Sequence, residues 1–266
     1  MMLASDRALE RLAAGFQWII PGALLVAGAL LWEILVRLRD TPAWMLPPPS
    51  AIGQSLFDDR SMLLEHTLAT AQAALIGFGI AFLVGVGSAI AITSTRILER
   101  SLYPVIIATN AIPVIAIAPL LLIWFGYGLT PKIIVVALIC FFPIAVNTID
   151  GLRSVDREMV NLLRSLGASR WATFRLVRFP TSLPYLFSGT RIAAAVSVIG
   201  ALVAEWVGSS AGLGYLMIRS ASQFLTDRVF AAIFIAALMG IAMFVAISLL
   251  ERWLLPWRRL DQERNS

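Results

Sequence analysis

Four windows of the chain, residues 67–93, 103–125, 133–149 and 229–250, contain no charged side chain. About twenty consecutive apolar residues in an α-helix cross a hydrocarbon core of about 30 Å. Lipid offers the backbone no hydrogen bonds, so such runs must be helices or strands of a closed barrel. Two further windows qualify with a pair of charges each: 16–38 with Glu33 and Arg37, and 184–207 with Arg191 and Glu205. The six windows predict an all-α integral membrane protein with six transmembrane helices over 16–250, flanked by short tails at 1–15 and 251–266. Charged residues make up 14% of the chain, against about 25% in soluble domains. The first window does not read as a cleaved signal peptide. It is too long, lacks a small-residue cleavage site, and carries Pro21 and Glu33.

The arginines set the orientation. With both ends inside, the internal segments hold Arg7, Arg11, Arg96, Arg100, six arginines from Arg153 to Arg178, and Arg252, Arg258, Arg259 and Arg264. The external segments hold Arg37, Arg39, Arg60, Lys132, Arg219 and Arg228. Cytoplasmic loops are enriched in basic residues, so both termini are expected in the cytoplasm. This asymmetry also accounts for the net charge of +5. No nucleic-acid partner is expected, because no basic stripe interleaves with exposed aromatics. Cys140 stands alone in an apolar span and reads as core. His66 is the only histidine, so neither a metal site nor a serine–histidine hydrolase is expected. No GxxxxGK[ST] phosphate loop occurs, so the chain is read as neither an enzyme nor a holder of ATP.

Several segments are irregular. Pro47, Pro48 and Pro49 predict an extended entry, with Ser50 capping a short surface helix through Phe57. Gly77, Gly79, Gly85 and Gly87 permit close approach of a neighbouring helix. Pro104, Pro113, Pro119 and Asn110 predict a repeatedly broken third span with a buried amide, suited either to a pathway lining or to ordinary kinked packing. The glycine-bearing segment 208–228 can dip back into the bundle.

Residues 161–180 form a basic helix–glycine–helix segment between two apolar runs, within a loop spanning 151–183. Ser154 is placed to cap a first helix, with Leu152, Val155, Met159, Leu162, Leu163 and Leu166 along one face. Gly167 ends it in a left-handed cap. Ser169 starts a second helix carrying Trp171, Phe174 and Val177, which Pro180 is expected to stop. With Arg164, Arg170, Arg175 and Arg178, the segment reads as a docking surface. Its spacing also fits an amphipathic hairpin lying on anionic lipid.

This segment resembles the cytoplasmic loop of ATP-binding-cassette (ABC) importer permeases, written Glu-Ala-Ala, three residues, Gly, nine residues, Ile-any-Leu-Pro. Gly167 matches the glycine, Val177 the isoleucine, Phe179 the leucine and Pro180 the proline. Asn161-Leu162-Leu163 replaces Glu-Ala-Ala, which puts any ion pair of that glutamate in doubt. Leu122-Ile-Trp-Phe-Gly126, Asn147-Thr-Ile-Asp-Gly-Leu-Arg153 and Gly212-Leu-Gly-Tyr215 are similar to the family as well, and the likeness runs over residues 46–257. The resemblance implies a type I, MetI-like permease fold. It also implies a coupling helix docked on a separate dimeric ABC ATPase, where ATP and magnesium bind. An extracytoplasmic solute-binding protein and a second permease copy, as a homodimer in the lipid membrane, are the other implied partners. Arg157, Met159, Asn161, Leu162, Leu163, Arg164, Leu166, Gly167, Ala168, Arg170 and Pro180 would form the docking loop. The branch resembled imports sulfonates, taurine, nitrate or the pyrimidine precursor of thiamine. The stretches 206–215 and 219–223 lean toward heterocycle importers.

Polar residues inside spans are the remaining candidates for the translocation pathway: Asn110, Pro113, Asn147 and Glu205. A carboxylate at midplane costs about 2.5–3.5 kcal/mol on insertion scales, so Glu205 needs a partner or a wet cavity. Arg191 is expected to reach headgroups or pair with Asp150. The competing function is an ion-coupled secondary transporter, which would carry its own coupling charges or an inverted repeat.

Overall fold

The structure, a computed structural model, describes residues 2–256 and the side chains of residues 20–256. Arg7, Arg11, Arg258, Arg259 and Arg264 therefore lie outside the described side chains. No strand occurs among the described residues. The helices are α1 (Met2–Leu38), α2 (Pro49–Asp58), α3 (Arg60–Thr93), α4 (Arg96–Thr109), α5 (Val114–Phe125), α6 (Leu129–Arg153), α7 (Arg157–Ser165), α8 (Arg170–Thr173), α9 (Phe179–Gly208), α10 (Leu213–Ser222) and α11 (Thr226–Leu254). Five are long and apolar enough to cross a membrane, and α4 with α5 make a sixth if the bent pair is one span.

The chain divides into two compact units. The first comprises residues up to Arg60 together with Arg219–Ala231. Pro48 is extended, as its neighbouring prolines require, and precedes α2. Ser50 does not cap this helix. Its amide and hydroxyl both donate to the Glu33 carboxylate, at 3.0 and 2.8 Å, and Glu33 also accepts from Arg37 at 2.6 Å. Asp59 receives a two-pronged bond from Arg228, both contacts at 2.9 Å, tying the end of α2 to the start of α11.

The second unit, Ser61–Ile218 with the chain from Ala232 onward, is built around α6. Val136, Cys140, Ile144 and Ile149 have no solvent exposure. Small residues let α3 and α9 approach α6 closely, which in lipid does the work that hydrophobic collapse does in water. Gly77 faces Val136, and Gly85, eight residues later, faces Ile144. The two helices therefore run parallel. Gly200 faces Val136, Gly189 faces Asn147, and Gly151 faces Ser182, so α9 runs antiparallel to α6. Gly79 and Gly87 face open space. The Cys140 thiol donates to the Ala193 carbonyl at 3.3 Å, a core role.

The third span is broken as its prolines predict, into two helices bent by 89°, while two other expectations are corrected. The break falls at Asn110–Pro113, because Pro113 lacks an N–H and disfavours helical backbone at Ile112. Pro104 and Pro119 are accommodated inside α4 and α5. Asn110 is exposed and not buried. Arg191 pairs with Glu251 at 3.3 Å and not with Asp150, which accepts the Tyr103 hydroxyl at 3.3 Å.

Candidate functional site

The basic hairpin begins where α6 ends. Ser154 closes α6 instead of opening α7: its amide donates to the Asp150 carbonyl at 2.9 Å, and its hydroxyl donates to Gly151 O. Asp156 takes the capping place, accepting from the Glu158 amide at 2.8 Å. Leu152 and Val155 are consequently buried with the bundle and leave the α7 face. Met159, Leu162, Leu163 and Leu166 remain on it. Leu162 is 55% and Leu166 75% exposed.

Gly167 has φ +82°. Its amide donates to Arg164 O at 3.0 Å and that of Ala168 to Leu163 O at 2.9 Å, the paired bonds of a Schellman cap. Ser169 caps α8 through the Ala172 amide at 3.1 Å. Pro180 does not stop this helix. A π turn over Phe174–Arg178 carries the chain directly into α9, and Arg170–Gly208 forms one continuous 39-residue element. The wider turn sends the Phe179 amide to Phe174 O. Pro180 then falls in the first turn of α9, where its missing N–H is tolerated. Arg157, Asn161, Arg164 and Arg170 are exposed along the hairpin, and Ala168 is half-buried.

A second polar constellation lies at the opposite end of the same helices. The Glu205 side chain is 1% exposed. Its carboxylate accepts from the Thr70 hydroxyl at 3.0 and 3.1 Å and from the Gly214 amide at 2.8 Å, with the Lys132 ammonium 3.9 Å away. Lys132, 8% exposed, donates to the Ala211 carbonyl at 2.9 Å. The Leu213 amide donates to Thr70 Oγ1 at 2.8 Å and the Gly212 amide to His66 Nδ1 at 3.0 Å. The segment after α9 thus folds back as expected, and α10 begins buried. Glu205 is therefore buried within the protein. The partner that its cost in lipid requires is Lys132, the only lysine of the chain.

The sequence reading missed Thr70, His66 and Lys132 as members of this cluster. Two signals were present: His66 and Thr70 lie four apart on one helical face, and Lys132 opens a long apolar run. Asn147 is at the α6–α9 contact, where its amide donates to Pro143 O at 2.8 Å. Pro113 is exposed beside Asn110 at the α4–α5 break. Asn110 and Pro113 thus share the α4–α5 break, Asn147 lies at the α6–α9 contact, and Glu205 lies in the cluster before α10. No group of histidine, cysteine or carboxylate side chains suited to a metal occurs among the described residues.

A helical chain with meshed small residues, a broken span and an exposed basic hairpin defines a multi-span membrane protein. Residues 69–259 match the family described as binding-protein-dependent transport system inner membrane component, and the chain belongs to that family. It is 39% identical to the formylaminopyrimidine transport permease protein ThiX of Halalkalibacterium halodurans over 92% of this chain and 98% of that one. Identity is also 39% to the riboflavin transport system permease protein RibX of Chloroflexus aurantiacus, over 94% of both chains. The taurine transport system permease protein TauC of Escherichia coli is 31% identical, over 89% of this chain and 88% of that one. Among solved structures, an inward-facing MetNI methionine ABC transporter superposes with a TM-score of 0.64 at 17% identity, over 73% of this chain and 97% of that chain. That likeness shows the MetI-like fold. The chain is a multi-pass permease subunit of an ABC importer for small solutes.

Proposed function

We propose that the hairpin is the coupling element of the importer, with α7 seated in a groove of a separate dimeric ATPase that binds ATP and magnesium. The observation that carries this reading is the unburied apolar face of α7. Met159, Leu162 and Leu166 stand exposed between Arg157, Arg164 and Arg170 on a helix held rigidly at both ends by side-chain and Schellman caps. A preorganised apolar anchor with a charged rim is the anatomy of a docking site. Asn161-Leu162-Leu163 makes this contact more apolar than Glu-Ala-Ala would. Two copies of the permease, each contributing one hairpin, fit a dimeric motor, and a solute-binding protein delivers cargo on the opposite side. The termini lie with the hairpin in the cytoplasm.

The cargo we favour is a nitrogen heterocycle. Relatives named for formylaminopyrimidine and riboflavin transport stand at 39% identity, and the taurine permease at 31%. Asn110, Pro113 and Asn147 are the pathway candidates.

Leu162→Asp tests the coupling reading. It places a carboxylate in the centre of the docking face while leaving the α7 caps intact. Affinity purification of the variant from native membranes should recover the permease without its ATPase. Recovery of both in the wild-type ratio overturns the reading.

A further inference from the structure

Three consecutive backbone amides, of Gly212, Leu213 and Gly214, enter α10 and each is claimed by a side chain from another helix. His66 and Thr70 of α3 take the first two, and Glu205 of α9 takes the third. The preceding carbonyl, of Ala211, is held by Lys132 of α6 at 2.9 Å and by the Ser209 hydroxyl at 2.6 Å. Four successive residues of one turn are therefore bound by three different spans. The turn has no room to slide. Gly212 is at φ +119°, and a Cβ there would fall onto the Glu205 carboxyl group. A Cβ at Gly214 would lie 2.6 Å from Leu202 O.

The first turn of a helix ordinarily leaves its N–H groups to water or to one local capping residue. Here they are satisfied by long-range partners, in a place where an unsatisfied amide or carboxylate would be costly. The Glu205 carboxylate is enclosed by partners from this chain, Thr70, Gly214 and Lys132, which suits it to holding the turn in place.

We propose that Glu205, with Thr70, His66 and Lys132, is a positioning centre of the transport machinery: a latch that locks the 209–214 turn and the start of α10 to the ends of α3, α6 and α9. The four elements then travel as one body, and the rearrangement that opens and closes the pathway is taken up elsewhere. At the α4–α5 break, residues 110–113, no side chain of another helix holds the backbone among the described residues, and there the chain can hinge. This inference does not depend on the identity of the cargo, and only its nucleotide test rests on the ATPase reading.

Amide hydrogen exchange, followed by mass spectrometry on the intact transporter in lipid nanodiscs, tests the latch directly. Glu205→Ala should speed exchange over 212–214 by about tenfold or more, the factor expected for loss of one hydrogen bond. Should that variant fail to insert, two milder ones carry the test. His66→Leu should accelerate Gly212 alone, and Thr70→Val should accelerate Leu213 most. This amide-by-amide signature is one that general destabilisation would not produce. In the same complex, diluted with unlabelled permease so that one copy per transporter is labelled, spin labels at Leu68→Cys and Trp206→Cys, with Cys140 buried and unlabelled, should report a single distance with and without ATP and vanadate. Unchanged exchange in these variants overturns the proposal, as does a label distance that switches with nucleotide.

Discussion

Gly212 and Gly167 both sit at positive φ, at +119° and +82°, yet substituting them should have different consequences. At Gly167 nothing lies within 4 Å of where a Cβ would be placed. Gly167→Ala should therefore cost only the backbone strain of a left-handed residue, about 1–2 kcal/mol, confined to the end of α7. Gly212→Ala adds a methyl group that collides with the Glu205 carboxyl, so the whole latch must shift. Thermal unfolding of the purified permease in detergent should show a small change for Gly167→Ala and a large loss of folded protein for Gly212→Ala. Equal effects would mean that the polar cluster is looser than its geometry. How much of this was legible in the sequence follows from chain distance. Glu205 stood out as a carboxylate inside a span, and the need for a partner followed from its cost in lipid. The partner's identity did not, because Thr70 lies 135 residues away and resembles any other hydroxyl of a long apolar run. Gly167 was legible for the opposite reason: its Schellman bonds join residues within five positions of one another.

At the scale of helices, spacing carries further than composition. Gly77 and Gly79 are two residues apart in α3, but only Gly77 faces α6, where a Cβ would lie 2.5 Å from Val136 Cβ. Gly77→Ala should push α3 from α6 and destabilise the bundle by about 1–3 kcal/mol, as overpacking does. Gly79→Ala should be neutral or stabilise by up to about 1 kcal/mol through helix propensity. Paired melting curves decide the matter, and a destabilising Gly79→Ala would show that its face packs on something outside this chain. The glycine pattern announced a close contact without saying which helix made it. Proline was harder to read. Pro104, Pro119 and Pro180 are absorbed into helices, whereas Pro113 stands just before one, and the difference lies in what surrounds each. At Pro180 a π turn supplies the slack, and nothing in the residues 174–178 marks that turn beforehand. The Ser154 cap failed by a similar local competition. Asp156 offered an equally good cap two residues later, and α6 extended to meet it.

The whole molecule poses an energetic question that no single helix answers. A buried Lys132–Glu205 pair inside the bundle is the sort of charge arrangement an ion-coupled carrier would use, and on the sequence alone that function competed with ATP-driven import. In the structure each member of the pair is tied to the backbone of the turn before α10, Lys132 to the Ala211 carbonyl and Glu205 Oε2 to the Gly214 amide, an arrangement that suits a brace. The exposed anchors of α7 lie at the far end of the same rigid core, where force from a motor would enter. Energy should then come from nucleotide hydrolysis on another subunit and not from an ion gradient. Reconstituted with its ATPase and binding protein in liposomes, the permease should accumulate a labelled pyrimidine only when ATP is supplied on the hairpin side. Vanadate should abolish that uptake, and a protonophore should leave the initial rate within about twofold of the untreated value, the spread expected where the gradient contributes nothing to the driving force. Lys132→Met should impair uptake by loosening the latch while leaving this inhibitor pattern unchanged, since the lysine braces the pathway and does not carry the coupling ion. Uptake that survives vanadate and collapses with the protonophore would return the buried pair to the centre of the mechanism and leave the hairpin as a membrane-surface element.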